Sequence, residues 1–209
     1  MLVADVQRVV GVTVGQKPYH YGPQTEEAVK RFQQEHGLKA DGVVGYKTLL
    51  KMAPSIKLTA NFTLYEFIHS STAVSSNISN MPNEIEYASI ISLANTMQRV
   101  RDLLGHGNPI TITSGFRGLA LNSAVGGSRT SAHRYGFAAD FRCPGFGGTP
   151  AIVEAIHKAG VGYDQLILEH PGTSGSWVHL GLRQTGGRQQ NLTALKRNGR
   201  TVYVEGFQY

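Results

Sequence analysis

The chain has 209 residues, 41% of them hydrophobic, and a formal net charge of +6; that suits one core domain of about 150 residues with a smaller companion. The basic balance favours an anionic partner, but the absence of any run of five Lys or Arg residues argues against nucleic acid. No apolar stretch approaches the roughly 20 residues needed to cross a bilayer, and the single cysteine, Cys143, excludes an intrachain disulfide.

In chain order, Met1-Leu2-Val3-Ala4-Asp5-Val6-Gln7 lacks a basic n-region and a long apolar h-region. The expectation is therefore a chain made in the cytoplasm without a signal peptide. Residues 1–52 read as a compact unit of helices and turns. Ala28, Val29 and Phe32 recur at helical spacing, with Thr25 as a partial N-cap and Gly37 as the stop. Asp41-Gly42 is a turn, and Thr48 opens a last short helix. A weak repeat runs through this unit: Tyr21-Gly22-Pro23-Gln24-Thr25 is echoed by Val44-Gly45-Tyr46-Lys47-Thr48, and Val6-Gln7 by Phe32-Gln33.

Residues 53–61 read as a short linker, and a second domain begins at Phe62. Its clearest helix runs from Glu84 to Leu104, capped by Asn83 with Glu86 as the reciprocal partner and ended by Gly105. Tyr87, Ile90, Ile91, Ala94, Met97, Val100 and Leu104 form its apolar stripe. Strands are expected at 109–113 and 137–142, and a helix from Thr149-Pro150 to Gly160. Strands at 165–169 and 176–182 follow, joined as an antiparallel hairpin. The predicted class is α+β, with helices packed on a small antiparallel sheet. Residues 184–209 carry no recognised motif.

The candidate chemistry lies in Ser131-Ala132-His133-Arg134-Tyr135-Gly136-Phe137-Ala138-Ala139-Asp140 and in Trp177-Val178-His179. Two imidazoles and a carboxylate form an N/N/O set that suits Zn2+, and three protein ligands leave a fourth position open, as in catalytic sites. Gly136 permits a tight turn back into the strand that carries Asp140. Asp140 and His179 are polar groups within apolar strands, which is costly unless they are paired or metal-bound. Cys143, three residues past Asp140, falls on the opposite strand face and reads as core. His20, His36, His69, His106 and His157 lack such a context.

With Ser114-Gly115-Phe116-Arg117, Gly126-Gly127-Ser128 and the opening Phe62-Thr63-Leu64-Tyr65-Glu66-Phe67, these motifs resemble the family of zinc D,D-carboxypeptidases and L-alanyl-D-glutamate endopeptidases. That family shares the fold of the Hedgehog signalling domain, and the likeness runs from Phe62 to about Leu182. It implies that His133, Asp140 and His179 are zinc ligands, and that Arg117 binds the substrate carboxylate or polarises the scissile carbonyl. Much of the family places a general-base glutamate three residues before the last histidine, but here that position is Ser176. Glu169, at the end of the preceding strand, is the substitute, with His170 as runner-up for base or substrate contact. Ser131 is read as a donor to substrate or as a loop cap.

Gly37-Leu38-Lys39-Ala40-Asp41-Gly42-Val43-Val44-Gly45, together with the repeat, resembles the three-helix peptidoglycan-binding domain of bacterial and phage wall hydrolases. The whole chain thus resembles a modular phage-type endolysin: residues 1–52 bind the wall, 53–61 link, and 62–209 cut the stem peptide at L-Ala-D-Glu or at a D-Ala cross-link. A monomer is expected, acting on peptidoglycan after release by a separate pore, with neither nucleic acid nor membrane insertion. A D,D-carboxypeptidase of wall maintenance and a non-catalytic wall-binding or virion protein are the alternatives.

Overall fold

The computed structural model describes residues 2–13 and 20–209; Met1 and residues 14–19, which fall inside the first predicted domain, lie outside the described residues. The N-terminal unit consists of α1 (Leu2–Val9), α2 (Pro23–Glu35) and α3 (Tyr46–Met52). The predicted caps shift. Gly22 and Gly45, both extended, precede α2 and α3, so Thr25 and Thr48 sit inside the first turns rather than at their caps. Their hydroxyls are buried and accept from glutamines one helix earlier: Gln7 Nε2 donates to Thr25 Oγ1 at 3.0 Å, and Gln33 Nε2 to Thr48 Oγ1 at 3.2 Å. The sequence repeat is thus a repeated buried hydrogen bond, in which each amide keeps a buried hydroxyl satisfied.

Residues 53–61 contain a 3-10 turn, Ala53–Ser55, and Ile56, which is 3% exposed. The Ile56 carbonyl accepts from Leu64 N at 2.8 Å. There follow α4 (Leu64–Ile68), α5 (Ser71–Ser75) and α6 (Glu84–Leu104). The predicted Asn83–Glu86 capping box is present on α6, and the predicted stripe is buried apart from a half-buried Ile91. Next come β1 (Thr111–Ser114), α7 (Leu119–Ala124), β2 (Ala138–Arg142), α8 (Thr149–Lys158), β3 (Gln165–Glu169) and β4 (Trp177–Gly181). The chain ends with β5 (Gln190–Arg197) and β6 (Arg200–Glu205).

The strands form one sheet in the order β1-β2-β4-β3-β5-β6. Four pairings are antiparallel, including the predicted β3–β4 hairpin, but β5 lies parallel to β3. The sheet is therefore mixed, not antiparallel. The difference comes from residues 184–209, where no element was expected: a segment that returns across the end of the β3–β4 hairpin and docks beside β3 must run in β3's direction. Phe141, Val178, Leu180, Leu166 and Leu168 are fully buried on the face covered by α8, against which α6 packs. At roughly 1.5–3 kcal/mol per buried large apolar side chain, this layer fixes the register of the strands. The opposite face is left to Asp140, His179 and Glu169.

Candidate metal centre

Three elements aim side chains at one point. His133 lies in a 3-10 turn (Ala132–Tyr135) that Gly136 closes in the left-handed region, with φ 75°. A Cβ there would stand 2.7 Å from the Glu86 carbonyl oxygen, so the predicted tight turn requires glycine for both conformation and space. Asp140 on β2 and His179 on β4 are direct cross-strand partners and share a face. His133 Nε2 is 3.3 Å from Asp140 Oδ1 and 3.2 Å from His179 Nδ1, and His179 Nδ1 is 2.8 Å from Asp140 Oδ1.

The orientation of His133 is set from behind. Its Nδ1–H donates to the Gly115 carbonyl at 2.7 Å, which leaves the Nε2 lone pair facing the cluster. Gly115 in turn packs so closely on Phe67 that a Cβ would collide with the Phe67 carbonyl. Phe116 N donates to that same carbonyl at 2.7 Å. The opening motif at 62–67 therefore holds the carbonyl that aims the first imidazole. Asn80, fully buried, completes the brace: its Nδ2 donates to the Ile68 and Phe116 carbonyls, both at 2.9 Å, and its Oδ1 accepts from Gly118 N at 2.8 Å. Sequence reasoning missed Asn80, because its partners are distant in the chain.

With the His133 Nδ1 proton committed to Gly115, His133 Nε2, His179 Nδ1 and Asp140 Oδ1 converge with at most one proton among them, that of His179 Nδ1. A cation resolves this. Ligands about 2.0–2.1 Å from a tetrahedral zinc stand roughly 3.3–3.4 Å apart, close to the two separations from His133 Nε2 and longer than the 2.8 Å between His179 and Asp140. Burial pulls His133 down toward the neutral form that a ligand requires, although Asp140 opposes the shift. Burial alone would raise Asp140, but the adjacent imidazoles outweigh it and hold the carboxyl well below the usual carboxylate range. Among the described residues these three form the group of side chains that converge closely enough to hold a metal ion. Cys143 is buried apart from them, its Sγ 3.5 Å from the Asn108 carbonyl.

Glu169 pairs with Trp177 while Ile167 pairs with His179, so Glu169 is the diagonal neighbour of His179 on the same sheet face. Only 6% exposed, it is raised from 4.5 to about 7 by burial and by the Asp140 charge, with His179 opposing. Ser176, standing where much of the resembled family carries a glutamate, donates through Oγ to the Glu169 carbonyl at 2.9 Å. It braces the acid rather than replacing it. His170 follows with φ 51°, packs edge-on against Trp177, and has a buried Nδ1 without a partner among the described residues. Its Nε2 is 3.9 Å from Glu169 Oε2.

Arg117 N donates to the His133 carbonyl at 3.0 Å, which ties it to the site, and its buried Nε has no partner among the described residues. Burial pulls the guanidinium down and Asp140 opposes that shift. Ser131 is the N-cap residue of the His133 turn and makes no side-chain cap bond, so its hydroxyl is not used as a local cap.

Residues 60–181, more than half of the chain, match the peptidase M15 family, and residues 10–52 match a peptidoglycan binding domain family. The chain is 32% identical over 143 residues to the zinc D-Ala-D-Ala carboxypeptidase of Streptomyces albus G, which takes in 67% of this chain and 54% of that protein. It is 53% identical over 38 residues to the N-acetylmuramoyl-L-alanine amidase CwlL of Bacillus licheniformis, 18% of this chain and 11% of that protein. The chain thus spans about half the length of the first relative and about a tenth of the second.

Proposed function

Because the chain belongs to the peptidase M15 family, we propose that it is a zinc-dependent peptidoglycan peptidase that cuts the stem peptide, at L-Ala-D-Glu or at a D-Ala cross-link, in cell lysis. The observation that carries this reading is the convergence of His133, Asp140 and His179 beside a buried Glu169. Zinc bound to those three supplies a Lewis acid and lowers the pKa of water to about 7. Glu169 takes the proton from the attacking water and returns it to the departing amine, a task suited to a carboxyl raised to about 7. Arg117 binds a substrate carboxylate or carbonyl through its guanidinium. Ser131 and His170 complete the substrate contacts, and His170 is the alternative base.

Residues 1–52 hold the enzyme on the wall, which raises the effective substrate concentration at the cleft; 53–61 join them to the peptidase at 62–209. A second reading, a D,D-carboxypeptidase of wall maintenance, is favoured by the Streptomyces relative, a zinc D-Ala-D-Ala carboxypeptidase. Purified sacculi incubated with the protein, with and without chelator, test the proposal, and mass spectrometry of the released fragments separates the readings. New L-Ala or D-Glu termini support the endopeptidase, and loss of a terminal D-Ala alone supports the carboxypeptidase. Equal release from His133→Ala or His179→Ala would rule out the metal assignment.

A further inference from the structure

The C-terminal hairpin adds a wall to the same face of the sheet. Tyr203 on β6 pairs with Ala194 on β5, Ala194 with Glu169 on β3, and Glu169 with Trp177 on β4. Cross-strand partners share a face, so Trp177, Glu169, Ala194 and Tyr203 form one row across four strands, on the face that bears Asp140 and His179. Only a methyl group, that of Ala194, stands between the Glu169 carboxyl and the tyrosine in this row. At about 4.8 Å per strand, the Glu169 and Tyr203 backbones are roughly 10 Å apart, about the width of an extended peptide lying between them.

Among the described residues, Tyr203 is a tyrosine with neither a hydrogen-bond partner for its hydroxyl nor a ring partner. Other described tyrosines donate their hydroxyls to protein acceptors, and Tyr65 and Tyr135 pack against His69 and Arg134. Tyr203 is 55% exposed on an edge strand, open to an incoming ligand. Partial burial, then the charges of Glu169 and Asp140, push its phenol up, so it remains an O–H donor. An extended peptide lying in this row presents backbone carbonyls as acceptors for that donor.

We infer that Tyr203 is a substrate-contacting residue whose phenol donates a hydrogen bond to a backbone carbonyl of the peptide lying over Glu169 and Ala194. The inference rests on the peptidase reading above. The family match ends at residue 181, so the contact belongs to the hairpin that follows it and bears on which stem peptides this chain accepts.

The test uses the full zinc-loaded chain and soluble muropeptides made by muramidase digestion of sacculi. Binding is measured in a Glu169→Gln background, so that turnover does not interfere. Adding Tyr203→Phe is expected to weaken binding about five- to tenfold, as for one hydrogen bond to a neutral acceptor. In the otherwise wild-type chain, Tyr203→Phe should raise KM by the same factor with kcat unchanged, and with zinc content and unfolding midpoint unaltered. Binding within twofold of the parent, in a chain that does cleave, overturns the Tyr203 contact alone. A parent chain that neither binds muropeptides nor releases peptides overturns the peptidase reading and this inference with it.

Discussion

At the scale of single residues, Glu169 has two separable consequences. As the proposed acid and base it should be worth about 10²–10⁴ in turnover, so Glu169→Gln is expected to lose that much activity on sacculi while binding zinc normally by atomic absorption. Near-wild-type turnover would transfer the role to His170. Its second consequence is a pH dependence of stability in the metal-free protein. The folded carboxyl titrates near 7 and the unfolded one near 4.5, so between these values the folded chain holds the extra proton. Stability contributed by this group is full below about 4.5 and declines as pH rises through 7. Glu169→Gln removes the dependence. After chelation, the variant's unfolding free energy should gain on the wild type from pH 4.5 to 7, by up to about 3 kcal/mol at 1.36 kcal/mol per unit. A constant difference across that window would show that Glu169 does not carry a raised pKa. The convergence of His133, Asp140 and His179 was legible in the sequence, because a turn glycine and two apolar strands surround them. Asn80 was not, because its acceptors, the Ile68 and Phe116 carbonyls, lie 12 and 36 residues away.

At the scale of elements, the centre depends on how closely backbones approach. Gly115 has no room for a side chain against Phe67, and its carbonyl orients His133. Gly115→Ala is therefore expected to lower zinc affinity by about 10–100-fold, the usual effect of losing a ligand's outer partner, measured by competition with a chromophoric chelator. Gly118→Ala, where the nearest atom to a new Cβ is 3.5 Å away, should bind zinc as the wild type does. Equal affinities for all three proteins would show that the Gly115 carbonyl does not hold the imidazole. The long helix α6 and the β3–β4 hairpin were legible because the cap, stripe and turn residues agree in each. The β5–β6 hairpin was missed although Asn198-Gly199 is a strong turn signal, and both residues adopt left-handed φ, 49° and 76°. Its strands lack clean alternation: β6 is an edge strand, exposed along most of its length, so periodicity could not reveal it. Thr25 fits the pattern of an N-cap because an N-cap and a buried partner for a distant glutamine call for the same small hydroxyl residue.

At the scale of the whole molecule, the N-terminal unit and the peptidase share a core. Leu2, Val6, Val29, Leu49 and Met52 belong to the same buried apolar cluster as Phe67, Tyr87 and Val178. Polar bonds cross the junction as well: the Tyr87 hydroxyl donates to Asp5 Oδ2 at 2.6 Å, and the Tyr46 hydroxyl to the Ile68 carbonyl at 2.9 Å. A flexible tether would let the N-terminal unit sample many orientations; this junction holds it in one relative to the proposed cleft. The protein is therefore expected to unfold in a single calorimetric transition. Tyr87→Phe should lower its unfolding free energy by about 1.5–3 kcal/mol, the worth of a hydrogen bond to a charged group. Residues 53–209 alone should bind sacculi more weakly and melt below the full chain, because truncation exposes apolar surface of α6 and α4 and leaves Tyr87 without its acceptor. Two resolved transitions in the full chain, with the truncated piece melting at the temperature of one of them, would show instead that the two units fold independently.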